Sequence, residues 1–275
     1  MKDIALGQYY PAKSVMHRLD PRIKIMLVAG YIAMLFFVRT FFGFGIIALF
    51  LLLVIMLSRI PLRAVIKSVR PIIMMLCFTF ALTFIFYNNP YDTTRFWWRL
   101  SINGLLNSTW LVVRILLLIM GTALLTLTTS PVELTDGIEG LLIPLRIIRF
   151  PTHELAMIMS LALRLIPTFF EETERIINAQ KARCSNFDSR NIFIKAKALV
   201  PVLIPLFVSS FRRSEDLAEA IESRCYKGAK GRTKRKRLRI AMRDILAVAV
   251  YGSMLFVTLV IARNFWDFGF LNYLR

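Results

Sequence analysis

The sequence is poor in acidic residues and in the residue types that bind metals or form disulfides. It contains 17 Asp and Glu against 36 Lys and Arg, with 2 His and 3 Cys. The cysteines, Cys77, Cys184 and Cys225, are too few and too scattered for a disulfide framework. None has a second Cys or a His at metal-ligand spacing. These shortages argue against a disulfide-rich secreted domain and against a structural metal site.

Features of an enzyme are also scarce. The sequence has no Gly-x-x-x-x-Gly-Lys-Ser/Thr loop to bind nucleotide phosphates. His17 stands at a predicted membrane entry and His153 at a predicted helix start, where roles as polar boundary residues account for both. We therefore expect a non-catalytic chain that binds no cofactor of its own.

Apolar residues make up most of the chain. They account for 57% of it, with 22 Phe, and the mean hydropathy is +0.60. This composition is typical of an integral membrane protein. The polar residues 1–22 contain Pro11 and Pro21 and lack the apolar centre of a cleaved signal peptide. We expect an all-α polytopic membrane protein whose first span directs its insertion.

Five apolar runs approach the length of about 17 to 25 residues that a membrane-spanning helix needs. They occupy residues 25–38, 41–57, 71–86, 105–129 and 245–262. The first two are close enough to predict a tight helical hairpin. None of the five contains Asp or Glu, which a proton- or sodium-coupled transporter is expected to hold within its spans.

Two residues of the fourth predicted span are conspicuous. Arg114 is a charge at depth, and pairing with a neighbouring helix or snorkelling accounts for it. Gly121 predicts close helix packing.

Basic residues cluster on one side of the predicted spans. They precede the first span, follow the second, and occur throughout residues 131–243. By the positive-inside rule this side is the cytoplasm. We therefore expect a cytoplasmic N-terminus and an external C-terminus, with Tyr91, Trp97 and Trp98 as anchors at the external interface.

The spans divide the chain into three parts. Residues 1–130 form an N-terminal tail and four spans, residues 131–243 a cytoplasmic coupling region, and residues 244–275 the last span and a C-terminal tail. The coupling region is predicted to open with a short helix, in which Ser130 is the N-cap and Glu133 the capping-box acid. Pro144 should end this helix just after Leu142.

Two longer helices of the coupling region share one plan. Each has an apolar first half and a charged second half, and we expect each to begin in or on the membrane and to end in water. Pro167 is expected to kink the first helix, and Pro201 and Pro205 to interrupt the second. The apolar positions are Leu155, Ile158, Met159, Ala162, Ile166 and Phe169, then Leu199, Leu203, Phe207 and Phe211.

The ends of these two helices have similar sequences. They read Ala182-Arg183-Cys184 and Ser223-Arg224-Cys225. The helix dipole favours a cation in the last turn, which accounts for one arginine but not for matching small neighbours at both ends. A small neighbour lets a partner backbone approach, and a guanidinium binds a carboxylate through two hydrogen bonds. We predict two docking points for a two-fold partner, such as a pair of ATPase subunits.

Several motifs occur in a fixed order along the chain. They read GQYYP at residues 7–11, HRLDPRIK at 17–24, PVELTDGIE at 131–139, and LALRLIPT at 161–168 followed by QKAR at 180–183. Together they resemble the transmembrane T component of energy-coupling factor transporters, the vitamin and micronutrient importers of prokaryotes. The resemblance covers nearly the whole chain. It implies a scaffold subunit in a prokaryotic cell membrane, with the substrate bound by another subunit.

The resemblance also implies partners. T components carry Ala-Arg-Gly on two coupling helices that look to insert into grooves of two ATP-binding-cassette subunits, and those subunits would bind the ATP and Mg. Here both arginines match, but Cys replaces Gly twice and Ser replaces Ala once. Because Gly adopts a left-handed helix ending more readily than Cys, the exit of the chain at both ends is left open. The surface facing a membrane-embedded substrate-binding S component would comprise Ile158, Met159, Ala162, Ile166, Phe169, Leu203, Phe207 and Phe211.

Two other functions remain compatible with the pattern. One is the substrate-lining permease of a conventional binding-protein-dependent importer, although Glu219 and Ala220 only faintly resemble its coupling loop. Two adjacent ATPase genes without a binding-protein gene would favour the scaffold. The other is a basic protein that binds anionic lipid or nucleic acid through residues 227–239, where base-stacking aromatics are absent. Such binding would depend strongly on salt.

Overall fold

The computed structural model describes residues 9–12, 14–38, 40–86, 95–97, 100–144, 151–185, 187, 191–226, 228 and 241–266. Apart from one short antiparallel hairpin, its regular elements are helices, which confirms the all-α prediction. The external aromatic anchors and the basic run at residues 227–239 fall largely outside this part of the chain. The elements are α1 (Pro21–Phe37), α2 (Phe41–Ser58), α3 (Leu62–Val69), α4 (Ile73–Ile85), β1 (Arg95–Trp97), β2 (Leu100–Ser101), α5 (Ile102–Thr128), α6 (Pro131–Leu142), α7 (Thr152–Ala182), α8 (Ile192–Ser223) and α9 (Met242–Trp266).

The chain divides into two compact units. The first comprises residues 1–140 with 238–275, and the second comprises residues 141–237. The sequence placed the boundary before α6, but α6 packs against α1 instead. A methyl group at Gly137 would come within about 3 Å of Pro21 and Ile25, so the glycine permits this close approach. Most of α6 therefore belongs to the first unit.

The core of the first unit lies between α1, α2, α5 and α9. Gly121 of α5 lies against the ring of Tyr31, whose hydroxyl donates a hydrogen bond to the Leu117 carbonyl at 2.8 Å. This contact confirms that Gly121 permits close helix packing. The most deeply buried core side chains include Leu35, Ile47, Leu51, Ile55, Leu117 and Leu124.

The short turn between α1 and α2 lies where the sequence predicted it, but the two helices pack against α5 and α9 rather than closely against each other, so the predicted tight hairpin is wrong in this respect. Thr40 caps α2 by accepting a hydrogen bond from the Gly43 amide at 3.3 Å. Arg114 of α5 reaches this turn, where its Nη2 donates to the Val38 carbonyl at 3.3 Å and its guanidinium lies 5.8 Å from the Phe44 ring centroid. Arg114 therefore pairs with a neighbouring helix end, one of the two roles that the sequence suggested.

A buried polar cluster joins the helix ends at the opposite end of this unit. Lys24 donates from Nζ to the Thr128 carbonyl at 3.1 Å and to the Thr129 hydroxyl at 3.3 Å. The Asp20 amide donates to Asp244 Oδ1 at 2.9 Å, and Asp244 is only 2% exposed. The start of α1, the end of α5 and the start of α9 therefore lie on one side, as alternating spans require.

Four helices of the described residues are long and apolar enough to cross a membrane. They are Phe41–Ser58, Leu62–Ile85, Asn103–Thr128 and Thr152–Ala182. The second begins at Leu62 rather than at Pro71 because a 3-10 turn, Arg70–Ile72, joins α3 to α4. The fourth is α7, which the sequence placed in the coupling region. The chain is thus a multi-pass membrane protein.

Candidate docking surface on the α7 and α8 pair

The second unit is built on the contact between α7 and α8. The Ser209 hydroxyl donates to Glu172 Oε1, and Arg213 Nη2 lies 3.3 Å from Glu172 Oε2. Further along α7, Gln180 Nε2 donates to the Pro201 carbonyl at 3.5 Å. Because positions rise along α7 as their partners fall along α8, the two helices are antiparallel.

The prolines explain part of this contact. In an α-helix the amide four residues on would donate to the Pro201 carbonyl, but that residue is Pro205 and has no N–H. The Gln180 side chain supplies a donor to this carbonyl instead. Because α8 continues through both prolines to Ser223, its predicted interruption is wrong. Helix α7 also continues through Pro167, and the kink expected there stays a prediction.

A half-buried ion pair marks the crossing of the two helices. The Glu172 and Arg213 side chains are 25% and 35% exposed, and the Arg213 guanidinium also lies 5.6 Å from the Phe169 ring centroid. At this exposure the ion pair contributes only about 0.2 to 1 kcal/mol. The ring contact and the Ser209 hydrogen bond add to it, so the crossing is held by several weak interactions.

The antiparallel arrangement separates the two arginines. From the crossing, α7 runs from Glu172 to Arg183 and α8 runs from Arg213 to Arg224, and neither stretch contains a proline. At 1.5 Å per residue each arm measures about 16 Å, and the two arms extend in opposite directions. The two arginines therefore lie at opposite ends of the antiparallel pair.

The two helix ends have the same backbone conformation. Arg183 has φ −88° and ψ 18°, and Arg224 has φ −87° and ψ 12°. The residue that follows is left-handed in both cases, with φ 62° at Cys184 and φ 55° at Cys225. The two cysteines therefore adopt the conformation that glycine favours at a helix end, which settles the exit of the chain that the sequence left open.

The hydrogen bonds at both ends form complete Schellman motifs. In this motif the left-handed residue and the one after it both donate to carbonyls of the last helical turn. The bonds are Cys184 to Lys181 at 3.0 Å, Ser185 to Gln180 at 3.1 Å, Cys225 to Glu222 at 2.8 Å and Tyr226 to Ile221 at 3.3 Å.

Both arginines are available to a partner. Arg183, Arg224, Cys184 and Cys225 are exposed. Within the part of the chain that the structure describes, neither guanidinium makes a hydrogen bond or an ion pair. Each helix end thus presents an unengaged cation beside small side chains, an arrangement that suits a carboxylate-bearing groove. The small neighbours Ala182 and Ser223 are exposed as well.

Most residues of the predicted apolar surface are exposed. Phe207 is 61% and Phe211 70% exposed, and Ile158, Met159, Ala162 and Leu203 are exposed too. Ile166 and Phe169 are only half-buried, the latter because it packs beneath Arg213. Sequence reasoning missed Ile204 and Val208, which are also exposed and lie beside Phe207 and Phe211 on α8. A helix apolar on more than one face was the available signal.

Residues 12–235 match the model of the CbiQ family, described as cobalt transport protein. A protein of Thermosediminibacter oceani is 44% identical over 273 residues, which cover 97% of this chain and 100% of the relative. A Clostridium kluyveri protein is 44% identical over 269 residues, covering 97% and 99%, and a Lactococcus lactis protein 38% identical over 262, covering 95% and 97%. Each is named energy-coupling factor transporter transmembrane protein EcfT. The chain belongs to the CbiQ family.

Membership in the CbiQ family confirms the resemblance found in the sequence motifs. The matched residues include α7, α8 and both arginine-bearing ends. The family names identify transporter membrane subunits, which agrees with a non-enzymatic transporter component. The docking roles of Arg183 and Arg224, and that of the apolar surface, stay predictions.

Proposed function

We propose that this chain is the energy-coupling membrane subunit of an energy-coupling factor importer of vitamins or other micronutrients. It links two cytoplasmic ATPase subunits to a membrane-embedded S component that binds the substrate. ATP and Mg belong to the ATPases, and this chain catalyses no reaction. The observation that carries the proposal is the pair of equivalent arginine-bearing ends on one antiparallel helix pair.

The symmetry of the helix pair suits a paired ATPase. Two ATPase subunits related by a two-fold axis present the same groove twice. An antiparallel helix pair has an approximate two-fold axis through its crossing, so Arg183 and Arg224 are offered in equivalent orientations. One chain can thereby engage both subunits, with each arginine binding a carboxylate of one groove.

The crossing provides a route for transmitting movement. The Glu172 and Arg213 contact ties α7 to α8. When the ATPases close on ATP and shift the two arginine-bearing ends, the helices must turn about this crossing. The exposed apolar residues flanking it, including Met159 and Phe207, would turn with them beneath the S component. An apolar surface that contains Met can repack against several partners.

The proposed orientation follows from the distribution of basic residues. The N-terminus and the α7–α8 pair lie in the cytoplasm, where the ATPases are, and the C-terminus lies outside the cell. A cysteine introduced at position 275 should react with an impermeant label from outside. Labelling only from the cytoplasm would contradict this orientation.

Charge reversal at the helix ends tests the docking role. Arg183→Glu combined with Arg224→Glu should abolish copurification of the ATPases and substrate uptake, because each carboxylate groove would face a like charge. Each single variant should weaken both readouts at least tenfold. The measurements are the ATPase recovered per mole of chain from membranes, and uptake by cells.

Matched controls lie on the same helices. Arg175→Glu and Arg212→Glu reverse exposed cations away from the two ends and should leave copurification unchanged. The double variant should also remain inserted in the membrane at the normal level. Persistence of both copurification and uptake in the double variant would refute the docking proposal.

A further inference from the structure

The first unit contains an apolar cavity that the proposed function does not use. Its volume is about 200 Å³, and it lies among α1, α2, α5 and α9. For comparison, a cavity of roughly 150 Å³ accepts a molecule the size of benzene. The residues that form its walls include Leu27, Val28, Leu53, Val54, Leu125 and Val250.

Basic side chains surround one end of this cavity. A second pocket is lined by Arg18, Arg59 and Arg243, and it shares Val15, Leu57 and Arg243 with the cavity. The three arginines are exposed, and their guanidinium groups make no hydrogen bond or ion pair within the described ranges. Neither pocket has an acidic residue in its lining. Two acids of the buried cluster, Asp20 and Asp244, accept hydrogen bonds from backbone amides.

The basic and apolar parts are arranged along the helix axes. On α9 the lining runs from Arg243 at the basic end to Tyr251 at the apolar end, a distance of about 12 Å at 1.5 Å per residue. On α1 it runs in the same order from Lys24 to Tyr31. A ligand that fills both parts must therefore carry an anionic head and an apolar tail.

We propose that this cavity and its basic mouth bind one anionic phospholipid. Part of one acyl chain occupies the apolar cavity, and the phosphate lies among Arg18, Arg59 and Arg243, whose planar guanidinium groups bind phosphate oxygens in pairs. A free phosphate ion would leave the apolar cavity unfilled, and a zwitterionic headgroup would bring a cation towards three others. The site does not involve the arginine-bearing ends of α7 and α8, so its failure would leave the docking proposal untouched.

Competition between two lipids tests this site. The full chain is equilibrated with equal amounts of phosphatidylglycerol and phosphatidylcholine of the same acyl chains, and retained lipid is counted by native mass spectrometry. The wild type should retain one phosphatidylglycerol with at least tenfold preference. Inorganic phosphate at millimolar concentration should not displace it, and displacement would indicate a simple anion site and overturn the proposal.

Variants separate the head from the tail. Arg18→Gln with Arg59→Gln and Arg243→Gln should reduce the preference to about one, and Arg59→Gln alone should reduce it severalfold. Ala247→Phe keeps the three arginines but fills the cavity, so it too should lose the retained lipid. The control Arg63→Gln removes an exposed arginine of α3 outside the lining and should keep the preference. An unchanged preference in either the triple variant or Ala247→Phe would overturn the proposal.

Discussion

The residues that follow Arg183 and Arg224 share one backbone conformation, which is the common feature of the two helix ends at the residue scale. Among the described residues, Arg59, Cys184 and Cys225 are the non-glycine residues with positive φ. A side chain in this conformation costs about 1 to 2 kcal/mol, a cost that glycine avoids. The two ends therefore preserve a shared conformation although neither preserves glycine, and the geometry is what a partner groove would recognise.

Replacing Cys184 and Cys225 by glycine should stabilise both helix ends. Cys184→Gly and Cys225→Gly each relieve left-handed strain and should slow amide hydrogen exchange in the last helical turn. The free energy of local opening there should rise by about 0.5 to 1 kcal/mol, after the conformational entropy of the added glycine is counted. The third cysteine supplies the control. Cys77→Gly lies within α4 and should destabilise its helix by up to about 1 kcal/mol. The same sign at all three positions would contradict the assigned conformations.

The close contact of Gly121 with Tyr31 predicts a large effect of substitution on stability. Gly121→Ala places a methyl group against the Tyr31 ring and should lower the free energy of unfolding by about 1 to 3 kcal/mol. Gly252→Ala is the matched control, because a methyl group there meets no atom within 4 Å. It should be neutral or slightly stabilising. Equal effects of the two substitutions on unfolding in detergent would contradict the packing described here.

In the proposed mechanism, mechanical coupling depends on the crossing of α7 and α8. The arms that lead to Arg183 and Arg224 extend from the Glu172 contact in opposite directions. A rigid crossing converts displacement of the ends into rotation of the apolar surface, whereas a loose one dissipates it. The ion pair should therefore matter more for transport than for stability.

A double-mutant cycle can separate these two effects. Glu172→Ala and Arg213→Ala should show a coupling of about 0.2 to 1 kcal/mol in unfolding, as expected for a half-exposed ion pair. In the double variant substrate uptake should fall severalfold, while the ATPases should still copurify with the chain. Glu171 and Arg212 are exposed residues of the same helices that make no ion pair within the described chain, and their cycle should give no coupling. Normal uptake in the Glu172→Ala, Arg213→Ala variant would remove the crossing from the mechanism.

For the whole molecule, local signals in the sequence were enough to predict the class and many helix boundaries. Ser130 caps α6, α6 ends at Leu142 before Pro144, and the α1–α2 turn falls where the apolar runs break. The third span was placed at residues 71–86, whereas the candidate span begins at Leu62 and passes Pro71 in a 3-10 turn. Caps and turns depend on residues that are close in sequence, so local patterns are enough to predict them.

Long-range arrangement could not be read from the same patterns. The antiparallel pairing depends on Glu172 meeting Arg213, which are far apart in sequence and belong to charged segments with many equivalent partners. Asp244 resembles an ordinary helix-start acid until its hydrogen bond to the Asp20 amide is seen. The docking residues were found because their pattern occurs twice. The relation between the two copies required the structure.

Protection of Cys184 and Cys225 from a thiol reagent is the most direct test of docking at both helix ends. In a Cys77→Ala background, Cys184 and Cys225 are the two remaining thiols, and both are exposed. The ATPase pair that copurifies with the chain should slow the reaction of both with a water-soluble maleimide at least tenfold, as measured by mass spectrometry of the two peptides. If either cysteine reacts as fast in the complex as in the isolated chain, the two-point attachment is wrong.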